Sequence, residues 1–238
     1  MYNCAKCFQR GCTKQDMTKT LPDCPSKDEQ VKEQAKQLYN EPENHRIAYC
    51  AALTEAGGYC QDTRLIEIIK FLHRGGYHKI GIAFCTGLFK ETQEVVNILE
   101  YNGFEVVSII CKNGSITKDF LGITDEQAVR GSCKTETMCN PIGQALFLNQ
   151  QKTDFNLMLG LCVGHDTLFI KYSDAPITAL AVKDRVTGHN PLAPVYLAQG
   201  YYHNKTITMT KKRNILARLI GWVWREPKGK VCAKVRHV

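Results

Sequence analysis

The chain has 238 residues, 44% of them hydrophobic and 23% charged, a globular composition that can bury a core without covalent staples. Its twelve cysteines are about 5% of the residues, too few for a small disulfide scaffold, and no apolar signal segment precedes them in MYNCAKCFQRGC. We therefore expect a cytoplasmic protein with reduced thiols that ligate metal, do redox chemistry or are simply buried. Simple burial is expected for Cys50, Cys60 and Cys232.

Positive charge is concentrated near the C-terminus. The net charge is +8, but ten Lys and Arg residues and one acid from Gly200 onward account for +9, which leaves −1 for residues 1–199. The pooled charge therefore says nothing about a ligand of the body of the protein. Only the basic tail predicts an anionic partner.

Residues 1–25 form a cysteine-rich segment with too little apolar content to bury a core of its own. Cys4 and Cys7 have the C-x2-C spacing that commonly begins a zinc or iron–sulfur site, and Cys12 follows. Cys24-Pro25 resembles the end of a bacterial ferredoxin motif, although the spacing differs. We predict that these four cysteines bind metal. A redox pair is the alternative, but such pairs usually follow a strand, and no strand is predicted before Cys4.

Residues 26–62 are predicted to be a helical lead-in. A capping box from Ser26 to Glu29 begins the first helix, which extends to about Asn40. A second helix is predicted over 43–56, and a third, over 63–74, opens the next domain.

Residues 63–199 alternate short apolar runs with helical patterns. Further helices are predicted over 88–102, around 125–129, over 139–150 and after residue 162. The runs predict four strands: KIGIAF (79–84), FEVVSII (104–110), FNLMLGL (155–161) and ITALAV (177–182). This alternation predicts an α/β domain built on a small, doubly wound, mostly parallel sheet.

Cysteines follow three of the four predicted strands: Cys85, Cys111 and Cys162. Cys139 lies where a helix begins, and we expect that helix to start at the same edge. Ligands of open parallel sheets bind beyond the carboxyl ends of the strands, and helix N-termini there favour thiolates. We therefore predict a shared metal site of these four cysteines. One or two reactive cysteines without metal, and coincidental burial, are the alternatives.

Four thiolates suit zinc or an iron–sulfur cluster. A structural zinc needs no particular place on a fold, whereas the end of a parallel sheet is where substrates bind. This location favours a working cofactor, and we expect a 4Fe–4S cluster.

Polar residues accompany these cysteines. We predict that His165 is a ligand or general acid, and that Lys183 and Arg185 bind an anionic substrate or neutralise the charge of a cluster. The alternative for His165, and the prediction for His189, is a hydrogen-bonding residue at the start of a helix. Cys133 is predicted to be a spare ligand or a bystander. No dinucleotide-binding glycine motif, P-loop or nucleophile elbow is present in the sequence.

Residues 200–238 are predicted to form a basic amphipathic tail. Three basic residues, 211–213, precede NILARLIGWVW (214–224), which has an apolar side as a helix but is too short to span a bilayer. The tail would dock on the body, lie on an anionic membrane surface or bind a protein partner, so the protein could be membrane-peripheral. A nucleic-acid partner is not expected.

Several stretches resemble a prokaryotic family of cysteine-rich proteins, domain-of-unknown-function family 1847, whose members are often labelled uncharacterised metal-binding proteins. The N-terminal cysteines resemble the opening of that family, and the resemblance covers about residues 1–199. The other matching stretches are IGIAFCTGL (80–88), GFEVVSIICKNG (103–114), MCNPIGQA (138–145), GLCVGHD (160–166) and AVKDRVTGHNP (181–191). The resemblance implies metal binding and supplies no reaction.

Three functions remain open from the sequence. The first is an iron–sulfur protein with a redox or sulfur-transfer role at the strand ends, with an electron-transfer protein as partner. The second is a zinc-binding, non-catalytic sensor or scaffold. The third is a cysteine-thiol enzyme without metal at the strand ends.

Overall fold

The computed structural model describes residues 3–206, apart from the side chain of Asn204. The chain divides into two compact units between Gly76 and Tyr77. The predicted amphipathic helix over 214–224, and Cys232, lie outside the described residues. None of the helices within residues 3–206 is long and apolar enough to cross a membrane.

The first unit begins with a chain of short turns. Residues 3–28 contain 3-10 helices at Cys4–Lys6, Gly11–Lys14, Met17–Lys19 and Pro25–Lys27. Only Gly11, Thr20 and Cys24 are buried in this segment. As the composition predicts, the segment has almost no core of its own.

Three helices complete the first unit: α1 (Glu29–Tyr39), α2 (Pro42–Gly58) and α3 (Arg64–Gly75). The predicted capping box at Ser26 is wrong. Ser26 lies inside a 3-10 turn, and Asp28 caps α1 by accepting a hydrogen bond from the backbone N–H of Val31 at 3.1 Å.

Helix α3 belongs to the first unit, although the sequence analysis placed it in the α/β domain from residue 63. The reason is its attachment to α2. Arg46 of α2 donates a hydrogen bond to the carbonyl of Gly75 at 3.0 Å, and Arg74 of α3 donates to the hydroxyl of Thr54 at 3.0 Å.

The second unit is a four-stranded, all-parallel sheet in the order β2-β1-β3-β4. The predicted α/β class and parallel sheet are confirmed. The strands are β1 (Lys79–Phe84), β2 (Glu105–Ile110), β3 (Phe155–Leu161) and β4 (Ile177–Val182), and the helices are α4 (Phe89–Tyr101), α5 (Pro141–Gln150), α6 (His165–Tyr172), α7 (Ala193–Tyr196) and α8 (His203–Thr206).

The direction in which successive strands are added to the sheet reverses at β1. It passes from β1 outward to β2 through α4, and then back past β1 to β3 through α5. Right-handed crossovers in opposite directions place α4 and α5 on opposite faces. The carboxyl ends of β1 and β3 therefore flank the crevice in which doubly wound folds bind ligands.

The core of the second unit fixes the positions of the strands, including their carboxyl ends. Ala145 and Leu148 of α5 and Phe169 of α6 are fully buried against the sheet, where they meet Met158 and Leu161 of β3. Burial of each large apolar side chain stabilises the fold by about 1.5–3 kcal/mol, so the strand ends project from a rigid layer.

The short helix predicted around residues 125–129 is wrong. The backbone N–H of Ala128 donates to the carbonyl of Thr124, which closes one turn, but the chain then changes direction at Gly131, whose φ is 80°. Glycine adopts this left-handed conformation without strain because it has no Cβ atom. The segment is therefore a series of turns.

Candidate functional site

Three cysteines directly follow strands, as predicted. Phe84 pairs with Ile110 in the ladder of β1 and β2, so Cys85 and Cys111 come next on neighbouring strands. The N–H of Cys111 donates to the carbonyl of Phe84 at 2.9 Å, which extends the ladder to this pair. Cys162 directly follows β3.

The sulfur of Cys111 lies between two other sulfurs. Its thiol is hydrogen-bonded with the side chains of both Cys139 and Cys85. It also accepts a hydrogen bond from the backbone N–H of Thr86 at 3.3 Å. Three cysteines that are far apart in the sequence thus have their sulfurs in contact.

Each outer sulfur has a basic partner. Lys183 is hydrogen-bonded with Cys85, and His165, the first residue of α6, is hydrogen-bonded with Cys139. The guanidinium of Arg185 donates to the sulfur of Cys162 at 3.4 Å, and it also interacts electrostatically with Cys85 and Cys139. The three residues predicted to be catalytic therefore each contact one of Cys85, Cys139 and Cys162, which together with Cys111 are the strand-end cysteines.

The thiol of Cys111 makes its neighbours acidic. Its hydrogen bond lowers the pKa of Cys85 to about 5, with help from the N–H of Gly87 and from Lys183 and against the effect of burial. The same thiol, together with His165, lowers the pKa of Cys139 to about 4. Cys139 and Cys85 in turn raise the pKa of Cys111. Without metal, Cys85 and Cys139 are thiolates at neutral pH and Cys111 keeps its proton.

The sulfurs do not surround a common point. Within residues 3–206, no group of three or more His, Cys, Asp or Glu side chains is arranged as a metal-ligand set. The contacts instead run in a line from Cys85 through Cys111 and Cys139 to His165. A shared ion or cluster would have to draw these side chains together, so metal ligation stays a prediction.

The N-terminal cysteines occupy the turns of residues 3–28. Cys4 and Cys7 flank one 3-10 turn, in which the N–H of Cys7 donates to the carbonyl of Cys4 at 3.1 Å. Cys12 is exposed and Cys24 is buried. The predicted metal site of these four cysteines also stays a prediction.

Two other predicted residues make local hydrogen bonds. The backbone N–H of Cys133 donates to the carboxylate of Asp125 at 2.7 Å, and the thiol of Cys133 bonds to the same carboxylate, which raises its pKa. Its predicted role as a spare ligand or a bystander stays a prediction. The side chain of His189 is hydrogen-bonded, as predicted, but not at the start of a helix: its Nδ1 accepts from the N–H of Asp184 at 3.1 Å, in the loop between β4 and α7.

The expected burial of isolated cysteines holds at one position. Cys50 is buried within α2, which confirms the prediction. Cys60 is exposed, so that prediction is wrong. It follows the end of α2 in a turn with a φ of 57°, where the chain is at the surface.

Sequence reasoning missed the amide side chains around the cysteines. Gln144 of α5 is fully buried, and its Nε2 donates to the carbonyl of Phe84 at 3.2 Å and to that of Ile109 at 2.8 Å. It therefore ties together the ends of β1 and β2, just before Cys85 and Cys111. A lone polar residue on the apolar side of α5 was the available signal.

Comparison with known proteins settles the family. Residues 24–180 match a family described as "Protein of unknown function (DUF1847)". The chain belongs to the DUF1847 family. An uncharacterized protein of Methanocaldococcus jannaschii is 42% identical over 204 residues, which cover 86% of this chain and 97% of the archaeal protein. No solved structure matches.

The DUF1847 match is narrower than the resemblance over residues 1–199. It includes all four strand-end cysteines but begins after Cys12 and ends before Lys183 and Arg185. The family description assigns no activity, so the function has to be argued from the site.

Proposed function

We propose that this protein is a cysteine-ligated metal protein with an iron–sulfur cluster at the carboxyl edge of its sheet, where it serves a redox or sulfur-transfer role. The supporting observation is that Cys85, Cys111, Cys139 and Cys162, from four separate segments, all lie at that edge. Four thiols are a ligand set that iron–sulfur clusters use.

The charges around the cysteines support an anionic centre. Lys183, Arg185 and His165 each contact one of the four cysteines, and Lys112 interacts electrostatically with Cys139. Four thiolates at one edge repel one another, and a bound cluster leaves part of their negative charge uncompensated. Cations in contact with the sulfurs offset this charge.

The residues at this edge would divide the work as follows. The four cysteines would hold the cluster, which would supply one-electron transfer or sulfur-transfer chemistry. Cys85 and Cys111 are buried, which keeps water from their sulfurs. His165 would hold a proton at the sulfur of Cys139, and Lys183 and Arg185 would bind an anionic substrate beside the exposed part of the centre.

The cysteines of residues 3–28 would hold a second metal, as an electron relay or a structural element. This segment buries only three residues, and its four cysteines lie within or directly beside 3-10 turns. Metal ligation would supply the ordering energy that its small apolar content cannot.

Anaerobic purification of the full chain tests the proposal. We expect a brown protein that contains iron and acid-labile sulfide and whose visible absorption bleaches with dithionite. Cys111→Ser should lose the strand-end iron, whereas Cys50→Ala, at a buried cysteine of α2, should keep it. A colourless wild-type protein without iron would end the iron–sulfur proposal.

A zinc-binding, non-catalytic sensor or scaffold is the second candidate, and one observation favours it. The sulfur of Cys111 touches those of Cys85 and Cys139. Thiolates around a single tetrahedral zinc are in similar contact, about 3.8 Å apart for Zn–S bonds of about 2.3 Å. Zinc without iron or sulfide in the same metal analysis would select this candidate.

A further inference from the structure

Two asparagines join the segments that carry Cys111 and Cys139. Asn113 follows Cys111 by two residues, and Asn140 directly follows Cys139. The Nδ2 of Asn140 donates to Oδ1 of Asn113 at 3.0 Å, and the Nδ2 of Asn113 donates to the carbonyl of Asn140 at 3.0 Å. The side chains therefore bond the two segments in both directions.

Two further hydrogen bonds to backbone carbonyls complete this connection. The N–H of Asn140 donates to the carbonyl of Cys111 at 2.8 Å, and the Nδ2 of Asn113 also donates to the carbonyl of Ile110 at 2.9 Å. We call Asn113 and Asn140, with these bonds, the amide clasp. It fixes the backbone on both sides of Cys111 relative to the residue after Cys139.

Gly143 makes room for the amide clasp on the first turn of α5. Its N–H donates to Oδ1 of Asn140 at 2.9 Å, so Asn140 also caps the helix. A Cβ atom at Gly143 would lie 2.3 Å from both Oδ1 of Asn113 and Nδ2 of Asn140. Any larger residue would push the two amides apart.

A helix cap alone does not account for this arrangement. Capping uses only Oδ1 of Asn140, which leaves its Nδ2 and the whole side chain of Asn113 for the connection between segments. We infer that the amide clasp sets the separation of the Cys111 and Cys139 sulfurs, so that Asn113 and Asn140 are positioning residues of the proposed metal centre. The metal part of this inference rests on the proposed function.

Two substitutions break the amide clasp in different ways. Asn140→Asp keeps an oxygen that can cap α5, but it replaces the Nδ2 donor by a second oxygen facing Oδ1 of Asn113. Asn113→Ala removes both donors and the acceptor. The matched control is Asn149→Ala, in α5, the helix that Asn140 caps. Asn149 also joins two segments, by hydrogen bonds to Tyr172 and Asp174, but it does so at the far end of α5.

The first readout needs no metal. Dibromobimane links two thiols only when both lie within its short reach, and peptide mass spectrometry of the metal-free full chain reports the Cys111–Cys139 link. We expect the yield to fall several-fold in Asn140→Asp and Asn113→Ala and to stay at the wild-type value in Asn149→Ala. Equal yields in folded samples of all four proteins would overturn the amide clasp, whether or not the protein binds metal.

The second readout is the metal itself, as iron or zinc content and the visible spectrum. Loss of a residue that orients ligands typically costs 10–100-fold in metal affinity, and we expect about this loss with a changed spectrum in both clasp variants. Asn149→Ala should match the wild type. Wild-type protein without metal would refute the proposed function alone, whereas clasp variants with wild-type affinity and spectrum would refute the positioning role alone.

Discussion

The protein carries two sets of four cysteines that are organised in opposite ways. Cys4, Cys7, Cys12 and Cys24 are close in sequence, and short turns with almost no buried side chains hold them. The strand-end cysteines are far apart in sequence, but they project from a sheet with a packed core. Almost no packing orders the first set, whereas the packed sheet brings the second set together.

The largest effect is expected from cysteine substitutions that remove one set of ligands and leave the other intact. Cys111→Ser removes the sulfur in contact with two others and should abolish strand-end metal binding, while N-terminal metal stays. Cys24→Ser should do the reverse. Metal analysis of each variant at equal protein concentration measures this. Loss of all metal in both variants would mean that the two sets do not bind independently.

Metal removal should affect the two regions unequally. Because residues 3–28 bury so little, we expect their backbone amides to lose most of their protection from hydrogen exchange after chelation. The strands β1 and β3 should stay protected, because their side chains form the core of the second unit. Hydrogen exchange with mass spectrometry provides the measurement. Persistent protection of residues 3–28 without metal would contradict the contrast.

The pH dependence of thiol labelling tests the electrostatics of the metal-free strand-end site. The pKa values of Cys85 and Cys139 lie below the usual 9.0, so both are thiolates above about pH 5. Alkylation of the half-buried Cys139 by iodoacetamide should therefore continue at pH 6 and fall as the pH drops through about 4. A labelling profile of Cys139 centred near pH 9 would show that the hydrogen bond of Cys111 does not control this thiol. Cys133, whose pKa is raised, should react only in alkaline solution.

The same shifts predict the pH dependence of stability. A thiol whose pKa is lowered by folding stabilises the folded state above its unfolded pKa, and this contribution is lost as the pH falls through the folded value. The metal-free second unit should therefore lose stability toward pH 4. Denaturant unfolding of the metal-free protein over this pH range measures the loss.

A smaller effect is expected from the cation beside Cys85. In an iron–sulfur form, Lys183→Met removes a positive charge near the cluster and should make its reduction potential more negative. Lys183→Arg, which keeps the charge, should largely restore the potential. Redox titration of the wild type and the two variants measures the difference. Equal potentials would show that the charge of Lys183 does not act on the cluster.

The smallest effect concerns the helix that follows the N-terminal cysteines. Asp28→Ala removes the cap of α1 and should destabilise the first unit by about 0.5–2 kcal/mol. Ser26→Ala should have almost no effect, although the sequence pattern favoured Ser26. Denaturant unfolding of both variants makes the comparison, and a larger cost for Ser26→Ala would restore the predicted capping box.

The sequence predicted the sheet well because its strands are short, apolar and bounded by helices. Residues 79–84, 155–161 and 177–182 are the strands observed, and parallel topology was enough to place Cys85, Cys111 and Cys162 at one edge. Caps and turns were harder, since Ser26 and Asp28 are both competent caps and only the local backbone selects between them.

The side-chain contacts at the edge lay beyond sequence reasoning. Which sulfur lies between the others, and which cation meets which cysteine, depends on side-chain positions across several loops. The amide clasp was missed for the same reason: Asn113 and Asn140 look like ordinary loop residues until their hydrogen bonds are seen.

The reversal of the chain at β1 has a consequence for biosynthesis. The strand-end cysteines extend from Cys85 to Cys162, and β3 must insert beside β1 before the last of them reaches the others. A ribosome has therefore made the chain at least as far as Cys162 before these four cysteines can meet. Any cofactor that these four cysteines bind would be inserted only after this point, whereas the N-terminal thiols leave the ribosome first.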